Sequence, residues 1–348
     1  MRIAIVNDLA LAREVLRRLV ASAPGHVVAW TAENGEEAVR KAAQDRPDVI
    51  LMDLVMPILD GVEATRRIMA QSPCPILVVT SSVAANFNML YRAMGHGGLD
   101  AVNTPTLAPD GSIRGGDELL ARLAKLARTR QDLASTTPGV RGAATPLPSF
   151  SADTAKRAAG IVALGASTGG PEALARILKA LPADFPCCVA IIQHIAAEFA
   201  PSLAAWLQGQ CSLPVRLARE SDELKPGEVV LAATNDHLLL RTDRRLAYTS
   251  DPFENPYRPS VDVFFGSLAS VWPRPGVAVL LTGMGNDGAQ GLLRLRQLGW
   301  HTIAQDEASS VVYGMPKAAA DLRAACQVLP LDQIPHAVVD QSARMRKA

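Results

Sequence analysis

Residues Ile161-Val162-Ala163-Leu164-Gly165-Ala166-Ser167-Thr168-Gly169-Gly170-Pro171 decide how this chain is read. A short, continuous apolar run ends in small residues and passes directly into a helical pattern at 173–181. Four to eight apolar residues bounded by turn signals fit a strand buried on both faces. Pro171 fits the first helical position, where its missing N–H is not needed. The stretch therefore reads as strand, tight turn and helix start, with Ser167 in the turn. Two chemistries use that shape. One is a nucleophile turn of the Gly-x-Ser-x-Gly type, which Gly165 and Gly169 match around Ser167. The other is a phosphate cradle at a helix N-terminus, although neither the full Gly-x-Gly-x-x-Gly spacing nor the Gly-Lys-Ser/Thr ending of a P-loop is present.

Working outward, further apolar runs end in residues of catalytic type. The run at 188–193 ends at His194, and that at 277–281 leads into Thr282-Gly283-Met284-Gly285-Asn286-Asp287-Gly288. A fourth, 302–304, leads into Gln305-Asp306-Glu307, and helical patterns occupy 201–207 and 290–298. If these strands are parallel, Ser167, His194 and Asp287 lie on loops at one sheet edge, where open α/β sheets build their sites. A serine hydroxyl needs a base to become nucleophilic near neutral pH. An imidazole can take that proton and return it to a leaving group, and a carboxylate can hold the imidazole tautomer and offset its charge. Ser167 and Thr168, with Gly169 behind them, would sit at a helix N-terminus whose N–H groups favour an oxyanion, and the Met284 N–H is a candidate second donor. Competitors exist for two of these roles. His237 precedes the apolar stretch 238–240 within a turn-rich region, 229–248, that reads as β-hairpins. Asp306 and Glu307 compete with Asp287, and Asp306-Glu307-Ala308-Ser309-Ser310 also reads as a capped helix start.

The N-terminal third repeats a β/α alternation five times. Strand patterns at 3–6, 27–30, 49–54, 76–80 and 99–102 alternate with helical ones at 11–19, 36–43, 61–70, 86–94 and 118–127. This predicts a five-stranded parallel, flavodoxin-like (βα)5 unit with helices on both faces. Asp8, Asp53 and Thr80 mark strand ends at one edge. Two carboxylates there suit Mg²⁺, an ion that takes oxygen ligands and keeps waters, or else simply cap helices. From 129 to 159 periodicity gives way to Ser, Thr, Pro, Gly and Ala, the composition of a linker. The expected domains are 1–128, a linker at 129–157, and 158–348, the last a doubly wound, mostly parallel α/β domain with a β-hairpin insertion. Two domains suit 348 residues. A net charge of +1 provides no field for nucleic acid. Five cysteines without Cys-x-x-Cys spacing argue against a disulfide framework and for a reducing cytoplasm. No signal peptide is visible ahead of the first strand, and no apolar run reaches the ~18 residues of a membrane span, so no membrane insertion is expected.

The string Asp53, Met56-Pro57, Asp60-Gly61 resembles the receiver domain of two-component response regulators over residues 1 to about 125. That resemblance implies phosphorylation of Asp53 by a histidine kinase, Mg²⁺ held by Asp8, Asp53 and the Val55 backbone, and Thr80 as the switch hydroxyl. Two positions depart from the pattern: Asn7-Asp8 replaces the usual acidic pair, and Thr104 stands in the usual lysine place. Further on, Gly165–Gly170, Gln193-His194, Leu281–Gly288, Gln305–Ser309 with Gly314-Met315-Pro316, and Pro259-Ser260-Val261-Asp262 together resemble the chemotaxis-type protein-glutamate methylesterases, the CheB family. The loop before His237 departs from the family pattern. The receiver changes resemble those of the WspF-like branch. The resemblance implies a hydrolase with the triad Ser167, His194 and Asp287. It would remove γ-glutamyl methyl esters from the cytoplasmic helices of methyl-accepting chemoreceptors, with deamidation of glutamines there as a second implied activity and no cofactor for the esterase step. A CheA-type kinase would be the phosphodonor, and the unphosphorylated receiver would obstruct the esterase. A constitutive adaptor with a degenerate receiver, or a nucleotide-dependent enzyme, would be the alternatives.

Overall fold

The computed structural model describes residues 1–81, 86–134 and 160–347. The chain divides into two compact units, Met1–Ala144 and Thr145–Ala348. Most of the expected linker lies outside the described residues.

In the first unit, strands β1 (Arg2–Val6), β2 (Val27–Ala32), β3 (Val49–Met52), β4 (Ile76–Thr80) and β5 (Gly98–Asn103) alternate with helices α1 (Ala10–Ser22), α2 (Gly35–Gln44), α3 (Gly61–Gln71), α4 (Phe87–Gly95) and α5 (Gly116–Ala134). The strands pair in parallel in the order β2-β1-β3-β4-β5. Strands β3 and β4 are buried at every position, which is why both read as unbroken apolar runs. Alternate residues feed opposite faces: Ile3, Ile5, Leu51, Leu77 and Val79 pack on one side, and Ala4, Val6, Ile50, Met52 and Ile76 on the other. Helices α2 and α3 start where Asn34 and Asp60 accept the backbone N–H groups of Glu37 and Glu63. Two short strands that sequence periodicity does not reveal, β6 (Thr106–Leu107) and β7 (Ile113–Arg114), form an antiparallel pair after β5.

The second unit contains β8 (Gly160–Ala166), β9 (Cys187–Gln193), β10 (Val215–Leu217) and β11 (Val229–Leu231). A hairpin of β12 (His237–Leu240) and β13 (Leu246–Thr249) follows, then β14 (Val277–Leu280), β15 (His301–Gln305) and β16 (Gln327–Leu329). Its helices are α6 (Gly170–Lys179), α7 (Ala200–Gln208), α8 (Val261–Val271), α9 (Ala289–Gln297), α10 (Met315–Asp321) and α11 (Ile334–Lys347). Seven strands make one parallel sheet, ordered β10-β11-β9-β8-β14-β15-β16. The chain starts at β8, runs outward through β9 to β10, then returns to β14 and runs outward on the other side. The strand order thus reverses between β8 and β14, and a crevice opens at such a reversal.

The region expected to be hairpins throughout is divided. Val229–Leu231 is buried at all three positions and joins the main sheet between β9 and β10, so only β12 and β13 form the hairpin. Helix α8 carries Val261, Phe264, Phe265 and Leu268 into a core shared with Ile161, Ala163 and Leu280, and with Leu238, Leu240 and Leu246 of the hairpin. Full burial of each such side chain contributes roughly 1.5–3 kcal/mol.

Candidate active site

The turn after β8 is fixed from three directions. Ser167 N–H donates to the Thr282 carbonyl at 3.0 Å, and the Ser167 carbonyl accepts from Gly170 N–H at 2.8 Å and from the Gln193 side-chain amide at 2.8 Å. Gly169 is the left-handed residue of the turn, at φ 79°, and precedes α6 directly. Ser167 itself is not at positive φ. The strained serine of a nucleophile elbow is therefore absent, and the glycine two residues on absorbs the bend. Gly283 is needed for a different reason, because a Cβ there would stand 2.7 Å from Ser167 Cβ and 2.3 Å from Met315 Sδ.

Strands β8 and β9 pair Ala166 with Gln193, so Ser167 and His194 are the next residues on neighbouring strands, and His194 N–H donates to the Ala166 carbonyl at 3.0 Å. His194 Nε2 lies 2.8 Å from Asp287 Oδ2 in a pair that is 9% and 2% exposed. The Asp287 carboxylate also accepts Ser260 Oγ–H at 2.7 Å and the N–H groups of Val261 at 2.6 Å and Asp262 at 3.1 Å. It therefore caps the N-terminus of α8. Burial alone would raise its pKa, but the hydrogen bond and charge of His194, with Ser260 and Val261, outweigh burial and hold the group below the ordinary aspartate range. An ionised Asp287 can only accept, so Nε2 of His194 carries the proton toward it and Nδ1 is left as the basic nitrogen. The Tyr257 ring stacks on the imidazole, with centroids 5.1 Å apart and planes 16° from parallel.

Helix α9 is capped in return from α8. Asp262 Oδ1 accepts Gly291 N–H at 2.7 Å. Burial and the neighbouring Asp287 charge push Asp262 up to about 6, against the N–H groups of Gly291, Gly288 and Gln290. The two helices thus exchange carboxylates at their N-termini. On the far side of the crevice, Gln305 accepts Thr282 N–H at 2.8 Å and donates to the Ser309 carbonyl at 2.7 Å, and Gly314 and Met315 N–H groups hold the Gly283 carbonyl.

Of the competitors, Asp306 accepts the backbone N–H and hydroxyl of Ser309 in a turn that starts no helix. His237 is fully buried and bonds Ser260 N–H and the Pro252 carbonyl. Sequence reasoning missed Tyr257 and the roles of Ser260, Gln193 and Gln305. A signal existed only in the strings Pro259-Ser260-Val261-Asp262 and Gln193-His194.

In the first unit, Asp53 is buried at the end of β3. Burial pushes its carboxyl up to about 6, against the Leu54 and Val55 N–H groups, and the Asp8 charge adds to the rise. Asn7 donates its amide to Asp53 Oδ2 at 2.8 Å. Asn86 donates to Thr80 Oγ at 3.0 Å, and Thr104 Oγ is buried with no hydrogen-bond partner among the described residues. Asp8 and Asp53, close enough to interact through their charges, are hard oxygen donors of the kind Mg²⁺ takes, with waters completing its shell. Among the described residues no group of three or more His, Cys, Asp or Glu forms a cage for a metal.

A receiver sheet with an acidic strand-end site, joined in one chain to an α/β unit with a His–Asp pair beside a strand-end serine, defines a response regulator with an enzymatic output unit. Residues 3–108 match the response regulator receiver domain, and residues 162–338 match the CheB methylesterase. A protein of Cupriavidus metallidurans named protein-glutamate methylesterase/protein-glutamine glutaminase 2 is 54% identical over 96% of both chains. One of Pseudomonas putida, named protein-glutamate methylesterase/protein-glutamine glutaminase of group 3 operon, is 50% identical over 96% of this chain and 97% of its own. The CheB methylesterase catalytic domain of Thermotoga maritima superposes with a TM-score of 0.50 at 34% identity, covering 53% of this chain and 98% of that one. The chain belongs to the CheB family of protein-glutamate methylesterases.

Proposed function

We propose that Ser167, His194 and Asp287 are the catalytic triad of a carboxylic ester hydrolase that acts on glutamate γ-methyl esters, and on glutamine amides, of a methyl-accepting chemoreceptor. The observation that carries this reading is the buried His194–Asp287 pair at the edge where β8 presents Ser167. His194 Nδ1 takes the Ser167 hydroxyl proton as Oγ bonds to the ester carbonyl carbon. The oxyanion is stabilised by the N–H groups of Thr168 and Met284, which make none of the backbone bonds that hold their neighbours among the described residues. Gly169 leaves room for the approach. Methoxide leaves with the proton from His194 as methanol, and water, deprotonated by the same nitrogen, hydrolyses the acyl-enzyme. Asp287 holds the imidazole tautomer and offsets the imidazolium charge.

The receiver and the CheB family imply a chemotaxis pathway with kinase and receptor partners. A CheA-type histidine kinase phosphorylates Asp53. Asp8, Asp53 and the Val55 carbonyl would hold a Mg²⁺ ion, which would offset phosphoryl charge there, and Thr80 is the hydroxyl that responds. No described helix is long and apolar enough to cross a membrane, and the cytoplasm is the compartment where such a receptor presents its helices. The adaptor alternative leaves unexplained why a buried carboxylate and a stacked imidazole are aligned beside Ser167.

The test is methanol release from methylated receptor, with and without acetyl phosphate. Ser167→Ala is expected to abolish release, and Asp53→Asn to abolish its stimulation. Wild-type release by Ser167→Ala overturns the triad.

A further inference from the structure

We infer that His237 is a positioning residue for this site, acting through Ser260 on Asp287; the inference rests on Ser167, His194 and Asp287 being the esterase centre. His237 opens β12 of the hairpin and is fully buried. Its Nδ1 faces Ser260 N–H at 3.1 Å, and its Nε2 faces the Pro252 carbonyl at 3.3 Å. A backbone N–H can only donate and a carbonyl can only accept. Both contacts therefore select one neutral tautomer, with the proton on Nε2. A second proton on Nδ1 would set two N–H groups against each other.

The chain of bonds continues into the triad. Ser260 is the N-cap of α8. Its hydroxyl donates to Asp287 Oδ1, and the next two N–H groups, of Val261 and Asp262, hold the Asp287 oxygens. Asp287 in turn orients His194. One imidazole thus fixes the backbone of the residue from which three donors to Asp287 follow. It also ties both ends of the segment 252–260, and within that segment Tyr257 stacks on His194. A second bond, Leu240 N–H to Ser267 Oγ at 3.0 Å, holds the hairpin along α8. The hairpin lies outside the seven-stranded sheet, and its contribution to the reaction is this brace.

The experiment uses the full chain with a methylated receptor peptide, comparing wild type with Ser167→Ala, His237→Leu, His237→Asn and His237→Gln. An asparagine carbonyl stands where Nδ1 stood and can accept from Ser260 N–H; a glutamine amide reaches the Nε2 position and leaves Ser260 unpartnered. Misplacing a reacting group by about 1 Å lowers rates roughly 100-fold. His237→Leu is accordingly expected to lower kcat about 10- to 100-fold with KM within about threefold, and His237→Asn to recover most of that loss. The low-field proton signal of the His194–Asp287 hydrogen bond, identified by its absence in Asp287→Ala, is expected to move in His237→Leu and to stay in His237→Asn. If His237→Leu does not fold, His237→Asn is expected to exceed His237→Gln in kcat at matched thermal stability. The inference is overturned if His237→Leu keeps both kcat and the low-field signal while Ser167→Ala is inactive, or if Asn rescues no better than Gln. If Ser167→Ala stays active, the triad itself is what fails.

Discussion

Replacing Asp287 by Asn tests the site most directly, because the structure says what an amide cannot do there. All four groups around the carboxylate donate to it: Ser260 Oγ, Val261 N–H, Asp262 N–H and His194 Nε2. An amide has one oxygen. With its NH₂ toward His194, it faces Val261 N–H and forces the imidazole into the tautomer with its proton on Nδ1, which removes the base. With its NH₂ toward Ser260, the hydroxyl can turn to accept, but Asp262 N–H is orphaned. A buried orphaned donor costs about 1–3 kcal/mol, and a weakened helix cap costs about 1 kcal/mol. The second unit should therefore lose about 2–4 kcal/mol, a fall in Tm of roughly 5–15 °C for a domain of this size. The loss has a pH signature. The folded-state pKa of Asp287 lies below its ordinary value, so its stabilisation is present above about pH 4 and disappears as pH falls through the native value. Calorimetric scans should show the Asn penalty at neutral pH and its decline in acid. Methanol release at saturating substrate should fall about 10²- to 10⁴-fold, the upper figure being the cost of a wrong tautomer in a serine triad, with KM little changed. A variant that keeps kcat within about fivefold, or that unfolds at the wild-type temperature at pH 7, refutes the arrangement.

Other substitutions probe separate contacts. Burial lifts Asp53 to about 6, so its ionised form opposes folding. That opposition is absent near pH 4 and complete above 6, and in Mg²⁺-free buffer Asp53→Asn should raise the Tm of the first unit at pH 7.5 and lose that gain on acidification; a gain that grows in acid contradicts this. Gly283→Ala puts a methyl against Ser167 and should cost about 1–3 kcal/mol and most of the activity. Gly266→Ala, with nothing within 4 Å and inside α8, should leave activity unchanged and stabilise by roughly 0.5–1 kcal/mol; equal activity losses in the two count against a crowded nucleophile turn. Tyr257→Phe keeps the ring on His194, whereas Tyr257→Ala removes a contact worth about 0.5–1.5 kcal/mol and should lower kcat/KM by up to about tenfold. Indistinguishable pH–rate profiles for wild type and Tyr257→Ala would show the stack to be idle.

The residues legible in the sequence share one property: each ends, or lies on the loop after, a strand buried on both sides. Such strands read as unbroken apolar runs; Ser167, His194 and Asp53 stand where the runs stop, and Asp287 lies on the glycine-rich loop that follows one. Parallel pairing then places all members of a unit on one edge with no further information. What stayed hidden depends on contacts between distant segments. His237 and Ser260 meet only because the hairpin folds back on α8, and no local pattern reports that. Helix α8, Val-Asp-Val-Phe-Phe-Gly-Ser-Leu-Ala-Ser-Val, does carry its buried residues Val261, Phe264, Phe265 and Leu268 at helical spacing, so its period is legible although no helix there is among the expectations drawn from the sequence. The stretch 229–231 could not be told from a hairpin strand, since three apolar residues fit either. Gln193 and Gln305 read as polar residues at strand ends, yet both are fully buried and tie neighbouring loops together.

The exchange of carboxylates between α8 and α9 also bears on how such an enzyme can be silenced over time. Asp287 is both helix cap and imidazole partner, so a lineage that loses it gives up folded protein together with activity. Among the described residues the turn at Ser167 is held through its backbone N–H and carbonyl, so the hydroxyl can disappear while the turn, the imidazole and the crossed caps keep their geometry. Drift toward an inactive but persistent relative therefore runs through the serine first. A chain of this architecture that retains the aspartate and lacks the serine is better understood as a preserved shell than as a protein in decay.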